Sequence, residues 1–328
     1  MLESFGPPHG KNNPYFLQLV DSLPPSIDLR YFSWRHALVG RYDVFHVHWP
    51  EVVLRGRTRA RSAARLVLFV LVLVRIRLQR RALVRTLHNA APHEPVTRVQ
   101  ARVIRFADRC TTLWITLSDR TVPPTAAPSV VVPHGHYRDW FDLSQEVRPV
   151  RGRVVFCGRV RRYKGVERLL QAFAELPDQG ASLHIVGRTE DAEMAADVRR
   201  ACLADQRVVA LDDFVTDAVL ADEVRQAEVV VLPFVEMTNS GSMLLALSLD
   251  RPVLVPRLPV TEAIAAEVGA GWVLLFDGEL DAEALARAMG SPTPEETARP
   301  DLSAREWPPI AAAHAAAFAR AVALARGG

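Results

Sequence analysis

Short runs of β-branched residues alternate with longer helix-period segments along the whole chain, and the alternation runs through twice. That rhythm admits parallel α/β layers and little else, because a strand followed by a helix returns to its sheet in the same direction. In the first half, strands are expected at 27–32 (IDLRYF), 43–49 (DVFHVHW), 83–89 (LVRTLHN), 113–118 (LWITLS) and 129–133 (SVVVP). Helices are expected at 13–23, across an arginine-rich segment, and at 96–110. The second half restarts with strands at 153–158, 182–187, 208–211, 228–234, 251–256 and 272–276, separated by helical segments. An Ala-rich amphipathic stretch, 305–325, closes the chain, and the polar, proline-containing stretch 137–152 reads as a linker. The expected fold class is therefore α/β, with two Rossmann-like doubly wound domains facing across a cleft, one over 1–145 and one over 146–300. Ligands of such sheets bind at the carboxyl ends of the strands.

Composition narrows the function classes. Three cysteines (Cys110, Cys157 and Cys202) lack metal-ligand spacing and fit a reducing cytosol rather than a disulfide framework. The N-terminal MLESFGPPHG lacks a basic-then-apolar export pattern, so a cytoplasmic location is expected. The net charge of +3 hides an asymmetry: residues 1–145 carry 20 Lys and Arg against 10 Asp and Glu, and the remainder carries 20 against 27. Ten arginines lie between Arg55 and Arg85 with no acidic residue, and they flank the apolar run LVLFVLVLV at 66–74. Nine apolar residues are too few to cross a bilayer, which takes about 20. The segment reads either as a core element with a solvated basic end or as a peripheral contact with an anionic membrane through 55–85. Nucleic acid is not expected as a partner, for no interleaved aromatics or recognisable module accompany the charge.

Two turns on the second sheet are suited to an anion. In CGRVRRYKGVERLLQAF (157–173) a strand ends at Gly158, and a loop bearing Arg159, Arg161, Arg162 and Lys164 leads through Gly165 into a helix. Cations near a helix amino end gather phosphate oxygens, and Arg159 and Lys164 are the two expected to do so. In VEMTNSGSMLLALSLDRPVLVP (235–256), Asn239, Ser240 or Ser242 is expected to cap the following helix, while Gly241 lets backbone N–H groups approach a ligand. Taken singly these are a solvated basic loop and an ordinary cap. Together on one sheet edge they point to a diphosphate.

The ordered motifs GRV-x-x-x-KG-x-x-x-LL-x-AF, LHIVG, FV-x-D-x-x-L with VLP, and ALS-x-x-RPVLVP make the second half similar to the carboxyl-terminal domain of GT-B glycosyltransferases that assemble exopolysaccharides and lipid-linked sugars. The match covers about 153–276; the first half matches more loosely, through NPYFLQL, DVFHVHWPE, TLHNAAPHE and VVVPHGHY. The resemblance implies a nucleoside-diphosphate sugar held mainly by the second domain, an acceptor held mainly by the first, and a terminal helix, within 301–328, crossing back to the first domain. It implies that Arg159 and Lys164 hold the diphosphate and that Phe214 and Val215 line the base pocket. It also exposes a departure. Of two glutamates that such enzymes often carry eight positions apart, the second falls at Leu245 and the first at Met237, beside Glu236, which serves with a one-residue shift. The NSGS loop with ALS-x-x-RPV resembles the β-mannosyltransferases of xanthan-type assembly, which favours GDP-mannose as donor.

The chain contains no Asp-x-Asp motif, so neither a metal nor another cofactor is expected. An inverting reaction needs a base for the acceptor hydroxyl. Glu51 after HVHWP and Glu94 in APHEP are the candidate bases, with His88 of TLHN as a contact to acceptor or donor sugar. His46 and His48 alternate on a strand, and at least one is expected to be a buried, hydrogen-bonded histidine. The expected activity is transfer of one sugar to a lipid-linked or glycan acceptor. The alternatives are a nucleotide-sugar 2-epimerase and a catalytically silent nucleotide-sugar-binding subunit.

Overall fold

A parallel sheet must be covered on both faces, and each half of this chain meets that demand differently. The computed structural model describes residues 1–7, 13–88, 96–212, 215–235, 241–291 and 298–327. Two compact units emerge, Met1–Gly135 with Arg305–Gly328, and His136–Ala304.

The first unit runs β1 (Leu2–Glu3), α1 (Pro14–Ser22), α2 (Trp34–Val39), β2 (Val44–Val47), α3 (Pro50–Leu54), α4 (Arg59–Leu78), β3 (Ala82–Leu87), α5 (Arg98–Cys110), β4 (Leu113–Thr116) and β5 (Ser129–Val131). Among the described residues these strands form one parallel sheet in the order β1-β2-β3-β4-β5. Right-handed crossovers between consecutive neighbours put their helices on one face. There Phe45, Val47 and Leu83 meet Leu54, Phe69 and Leu73. The opposite face, with Val44, Ala82 and Val84, is closed by Tyr15 and Leu19 of α1 and by Ile310 and Phe318 of the terminal helix, residues Trp307–Gly327. Local signals set the helix starts. Thr58 accepts a hydrogen bond from Arg61 N, and Thr97 and Gln100 form a reciprocal capping box.

The second unit runs β6 (Arg153–Cys157), α6 (Val166–Ala174), β7 (Ser182–Val186), α7 (Ala192–Ala204), β8 (Val208–Leu211), α8 (Asp217–Arg225), β9 (Val229–Val231), α9 (Gly241–Ser248), β10 (Val253–Pro256), α10 (Pro259–Val268), β11 (Val273–Phe276) and α11 (Ala282–Met289), after which the terminal helix is α12. Its parallel sheet has the order β11-β10-β9-β6-β7-β8. Chain order reverses between β6 and β9, and that switch point is where doubly wound sheets receive ligands.

The expected strand at 27–32 does not form. Asp28 and Arg30 on it pair with each other at 3.1 Å near solvent, and Leu2, fully buried, takes the edge position beside β2 instead. Arg30 makes an isolated parallel bridge to Leu2, and Phe32 N donates a 2.9 Å hydrogen bond to Phe5 O, so the stretch runs beside β1 without becoming a strand. The stretch 137–152 is not a free linker either. Tyr137 and Phe141 are buried in the core of the second unit, and Ser248 Oγ accepts a 2.8 Å hydrogen bond from Tyr137 N. The arginine-rich segment becomes α4, whose Phe69, Val72, Leu73 and Ile76 face inward at helical spacing. Among the described residues, α12 alone is long and apolar enough to cross a membrane, yet its Trp307, Ile310, His314, Phe318 and Ala321 are buried in the first unit.

At Gly165 the chain turns from the loop after β6 into α6 with φ of 67°, and a Cβ there would collide with Pro233 O, beyond the end of β9. Gly278 has a similar φ of 71° in open space. Gly165→Ala is therefore expected to cost about 2 kcal/mol or more, and Gly278→Ala about 1 kcal/mol, in urea unfolding of the intact chain.

Candidate active site

At the switch point the backbone is drawn tight by glycine. Gly158, with φ of 114°, follows β6, and Gly187, with φ of 141°, follows β7 and packs directly against Gly158 O. A methyl group on Gly158 would come within 2.7 Å of Ser242 Oγ and 3.0 Å of Lys164 Nζ, so both side chains converge on this bare backbone. Tyr163 O accepts a 3.0 Å hydrogen bond from Val235 N, which ties the loop after β6 to the loop after β9. Lys164 Nζ lies 4.8 Å from the Phe234 ring centre, a cation–π contact. Burial lowers the Lys164 ammonium to about 8, Cys157 opposing and Arg161 and Arg159 adding to the effect. The Cys157 thiol is pushed up to about 12 by burial, which makes it inert.

The other loop cations are already matched. Arg159 pairs with Glu190 at 3.1 Å with much of its side chain in solvent, and Arg161 reaches the same carboxylate through two nitrogens. Arg162 lies against Asp191, Glu193 and Glu167. Among the described residues no carboxylate pairs with Lys164. The structure thus brings Lys164, Gly241 and Ser242 to one edge and turns Arg159 toward Glu190. Val215 packs half-buried against the core of this unit, as does Leu245. Phe214, Glu236, Asn239 and Ser240 lie outside the described residues.

The carboxyl edge of the first sheet carries a different chemistry. Glu3, His46 and Thr86 come from three neighbouring strands, and all are fully buried. Glu3 Oε1 accepts a 2.5 Å hydrogen bond from His46 Nδ1, and His46 Nε2 lies 2.8 Å from Thr86 Oγ1. His48 Nε2 is 3.6 Å from Glu3 Oε2, and its Nδ1 shares a 2.9 Å hydrogen bond with His88 Nε2. Trp49 stacks on His88 with ring centres 4.4 Å apart, and Tyr15 meets it edge-on at 5.1 Å. Three ligand atoms of Glu3, His46 and His48 lie within 4.8 Å of one another. The 2.5 Å separation is nonetheless that of a hydrogen bond, since two ligands of one tetrahedral zinc stand about 3.3 Å apart.

Burial works to raise the Glu3 pKa, but His46 and His48 outweigh it and hold the carboxyl at about 2. His48 and His134 are lowered to about 4 and His314 to about 3, each mainly by burial. Burial, then the neighbouring imidazoles of His48, His134, His46 and His314, puts His88 well below its usual value. Glu51 stands half-buried in the first turn of α3, where its charge acts on Arg85; Arg85 is itself lowered by burial against the pull of its partner Asp108 and of Glu51. Glu94 lies outside the described residues. The sequence reading passed over Glu3 and Trp49. Glu3 had no signal, because a two-residue strand is too short for an alternating pattern.

The histidines impose a pH dependence on folding. With folded-state values of about 4 and 3 against an ordinary 6.5, the unfolded chain binds more protons below about 6.5. Stability present above that pH is lost as pH falls toward about 4, and further toward 3. Urea midpoints are expected to drop steadily from about pH 6.5 to about pH 4.5, with a shallower slope for His314→Leu.

Comparison with known proteins places these features. Residues 151–291 match the family described as glycosyl transferases group 1. Two proteins of Xanthomonas campestris pv. campestris, both described as GDP-mannose:glycolipid 4-beta-D-mannosyltransferase, are 43% identical over 317 residues, covering 96% of this chain and 90% of theirs. Among solved structures, Anabaena HepE in complex with UDP-glucose aligns with a TM-score of 0.62 at 17% identity, over 100% of this chain and 98% of that one. Sucrose-phosphate synthase from Thermosynechococcus elongatus aligns with a TM-score of 0.58 at 19% identity, over 87% and 75%. These likenesses identify the two parallel sheets with their helices as the GT-B fold.

Proposed function

This chain belongs to the same glycosyltransferase family as the Xanthomonas mannosyltransferases, and we propose that it transfers mannose from GDP-mannose to a glycolipid acceptor with inversion. The observation that carries the donor half is the convergence of Lys164 Nζ and Ser242 Oγ on Gly158 at the switch point of the second sheet. A leaving diphosphate needs a cation that is not already neutralised, and the match between Arg159 and Glu190 leaves that task to Lys164. Gly241 and Ser242, at the amino end of α9, add backbone and hydroxyl donors, and the positive end of the helix dipole faces the same way. No metal ion is required in this reading, because Lys164 supplies the charge that stabilises the departing group.

The first unit supplies the acceptor chemistry. Inversion forms a bond from the acceptor oxygen to the anomeric carbon while the bond from that carbon to the diphosphate breaks, the electron pair leaving with the phosphate. The acceptor proton must go to a base, and His88, neutral at physiological pH and held by Trp49 and His48, is the residue we assign to receive it. Glu51 stands at the next strand end, engaged electrostatically with Arg85.

A lipid-linked acceptor implies a membrane surface. On α4 the residues Val67, Leu71, Val74 and Leu78 form a solvent-facing apolar stripe, 61%, 50%, 39% and 80% exposed, opposite the inward stripe. Arg57, Arg59, Arg61 and Arg80 are exposed around it. This is the arrangement of a helix that lies in an anionic interface, and the enzyme is peripheral to the membrane in this reading.

Two measurements test these assignments. Lys164→Ala is expected to weaken GDP-mannose binding about 10-fold or more in calorimetry with the melting temperature little changed, and wild-type affinity should decline as pH rises past about 8, where free Lys164 loses its proton. Unchanged affinity in the variant would remove the diphosphate from this edge. In flotation with vesicles containing anionic lipid, the wild type should float and Leu71→Glu should remain largely in the soluble fraction; equal flotation of both would exclude the α4 stripe.

A further inference from the structure

Within the first unit, at the amino edge of its sheet, a cavity of about 870 Å³ opens between α12 and the turn from α4 into β3. That volume falls in the range of small-molecule sites, about 300–1,000 Å³. Val44, at the start of β2, lines the cavity, and His48 lies four residues further along the same extended chain. At about 3.3 Å per residue the cavity and the buried histidines are about 13 Å apart, on opposite edges of the sheet.

The lining is of two kinds. Ala315, Phe318, Ala319 and Val322 of α12 recur at helical spacing and form an apolar wall. Much of the remainder is basic. Two carboxylates also line the cavity and both are matched, Asp28 by Arg30 at 3.1 Å and Asp43 by Arg326. Arg81 is engaged as well, with its guanidinium 4.4 Å from the Tyr42 ring centre and a 3.1 Å hydrogen bond to Gly40 O. Arg41 and Arg80 remain: among the described residues no carboxylate, carbonyl or ring pairs with either side chain.

An arginine near the carboxyl end of a helix is ordinary, since it offsets the dipole. The backbone of Arg80 is not ordinary. Its φ is 48°, and Arg81 N donates a 2.9 Å hydrogen bond to Ile76 O, the bond of a Schellman turn closing α4. The left-handed residue of that turn is usually glycine, because a Cβ strains the backbone there. The turn gains nothing from arginine; what arginine adds is a guanidinium at the cavity.

A fitting ligand brings an anion to Arg41 and Arg80 and an apolar body to α12. Guanidinium groups match phosphate oxygens in shape and charge. The exposed apolar stripe of α4 ends at Leu78, and the next two residues, Gln79 and Arg80, line the cavity, so its mouth adjoins the surface assigned to the membrane. We propose that this cavity binds a phosphate ester carried by a membrane lipid, with the phosphate on Arg41 and Arg80 and the first methylenes of the acyl chain along α12. The choice of a lipid over a free phosphate rests on the membrane reading of α4. The lipid anchors the enzyme and is not the sugar acceptor, since it sits at the sheet edge away from His48 and His88.

The test uses the full-length chain and dihexanoyl phosphatidic acid below its micellar concentration, so that single lipid molecules are the probe. Calorimetry is expected to show saturable binding, weakened about 10-fold or more in Arg41→Gln/Arg80→Gln. Arg98→Gln/Arg102→Gln, which removes the same charge from α5, should bind like the wild type. Ala319→Trp, which fills the apolar wall, should weaken the lipid, and glycerol 3-phosphate should bind the wild type about 10-fold or more less tightly than the lipid does. Undiminished binding in Arg41→Gln/Arg80→Gln, or equal weakening in both double variants, overturns the site. Equal affinity for glycerol 3-phosphate overturns the lipid assignment. Arg80→Gly separates ligand binding from folding, because it should raise the urea midpoint by relieving strain while it weakens the lipid; tight lipid binding in that variant counts against the role of Arg80. Vesicle flotation keeps the two readings apart. Loss of wild-type flotation with this binding intact would defeat the α4 stripe alone, and flotation without this binding would defeat the cavity alone.

Discussion

Burial of both sheet faces is the constraint on which the rest of this structure depends. A parallel sheet exposes no face to water, so every strand must find helices above and below it. The second unit solves this with winding in both directions from β6, and the reversal creates the switch point beside Gly158. The first unit has consecutive strand order, so its crossover helices gather on one side, and α1 and α12 close the other. The last helix of the chain is thus a core element of the first unit. It also seals the polar row from Glu3 to His88, with Phe318 set 5.1 Å from the His46 ring.

That sealed row is costly as an isolated feature. A fully buried carboxylate is tolerated only when partners hold its charge, and removal of one partner from such a group costs about 3–5 kcal/mol. Glu3 is held by two imidazoles, which is why its pKa stays low despite burial. His48, His88, His134 and His314, by contrast, are pushed toward the neutral form, mainly by burial.

Electrostatic matching also explains the other edge. Four cations enter the loop after β6, and the acidic groups Glu190, Asp191, Glu193 and Glu167 absorb three of them. What remains is a lysine partly withdrawn from water, over an aromatic ring, next to a backbone with no side chain. A glycine is needed at Gly158 because Ser242 and Lys164 occupy the space a Cβ would take. The cradle therefore depends on a void as much as on a charge.

Much of this was legible in the chain. The repeated strand–helix rhythm determined the α/β class and most elements, since apolar period and capping residues such as Thr97 and Asp281 act locally. The basic loop with Lys164 and the corner at Gly241 and Ser242 could be read as an anion edge because two such turns, each ordinary alone, fall on one edge of the same sheet. The choice between Arg159 and Lys164 could not be read, because it depends on Glu190, which approaches from the end of another strand. Glu3 and its link to His88 through His48 were likewise invisible: the residues are 45 and 40 positions apart at the two steps, and only pairing of β1, β2 and β3 brings them together. The sequence by itself determined which residues could carry charge at the strand ends. Tertiary structure alone decided which of those charges are neutralised and which stay available, because charge pairing depends on distance in space and not along the chain.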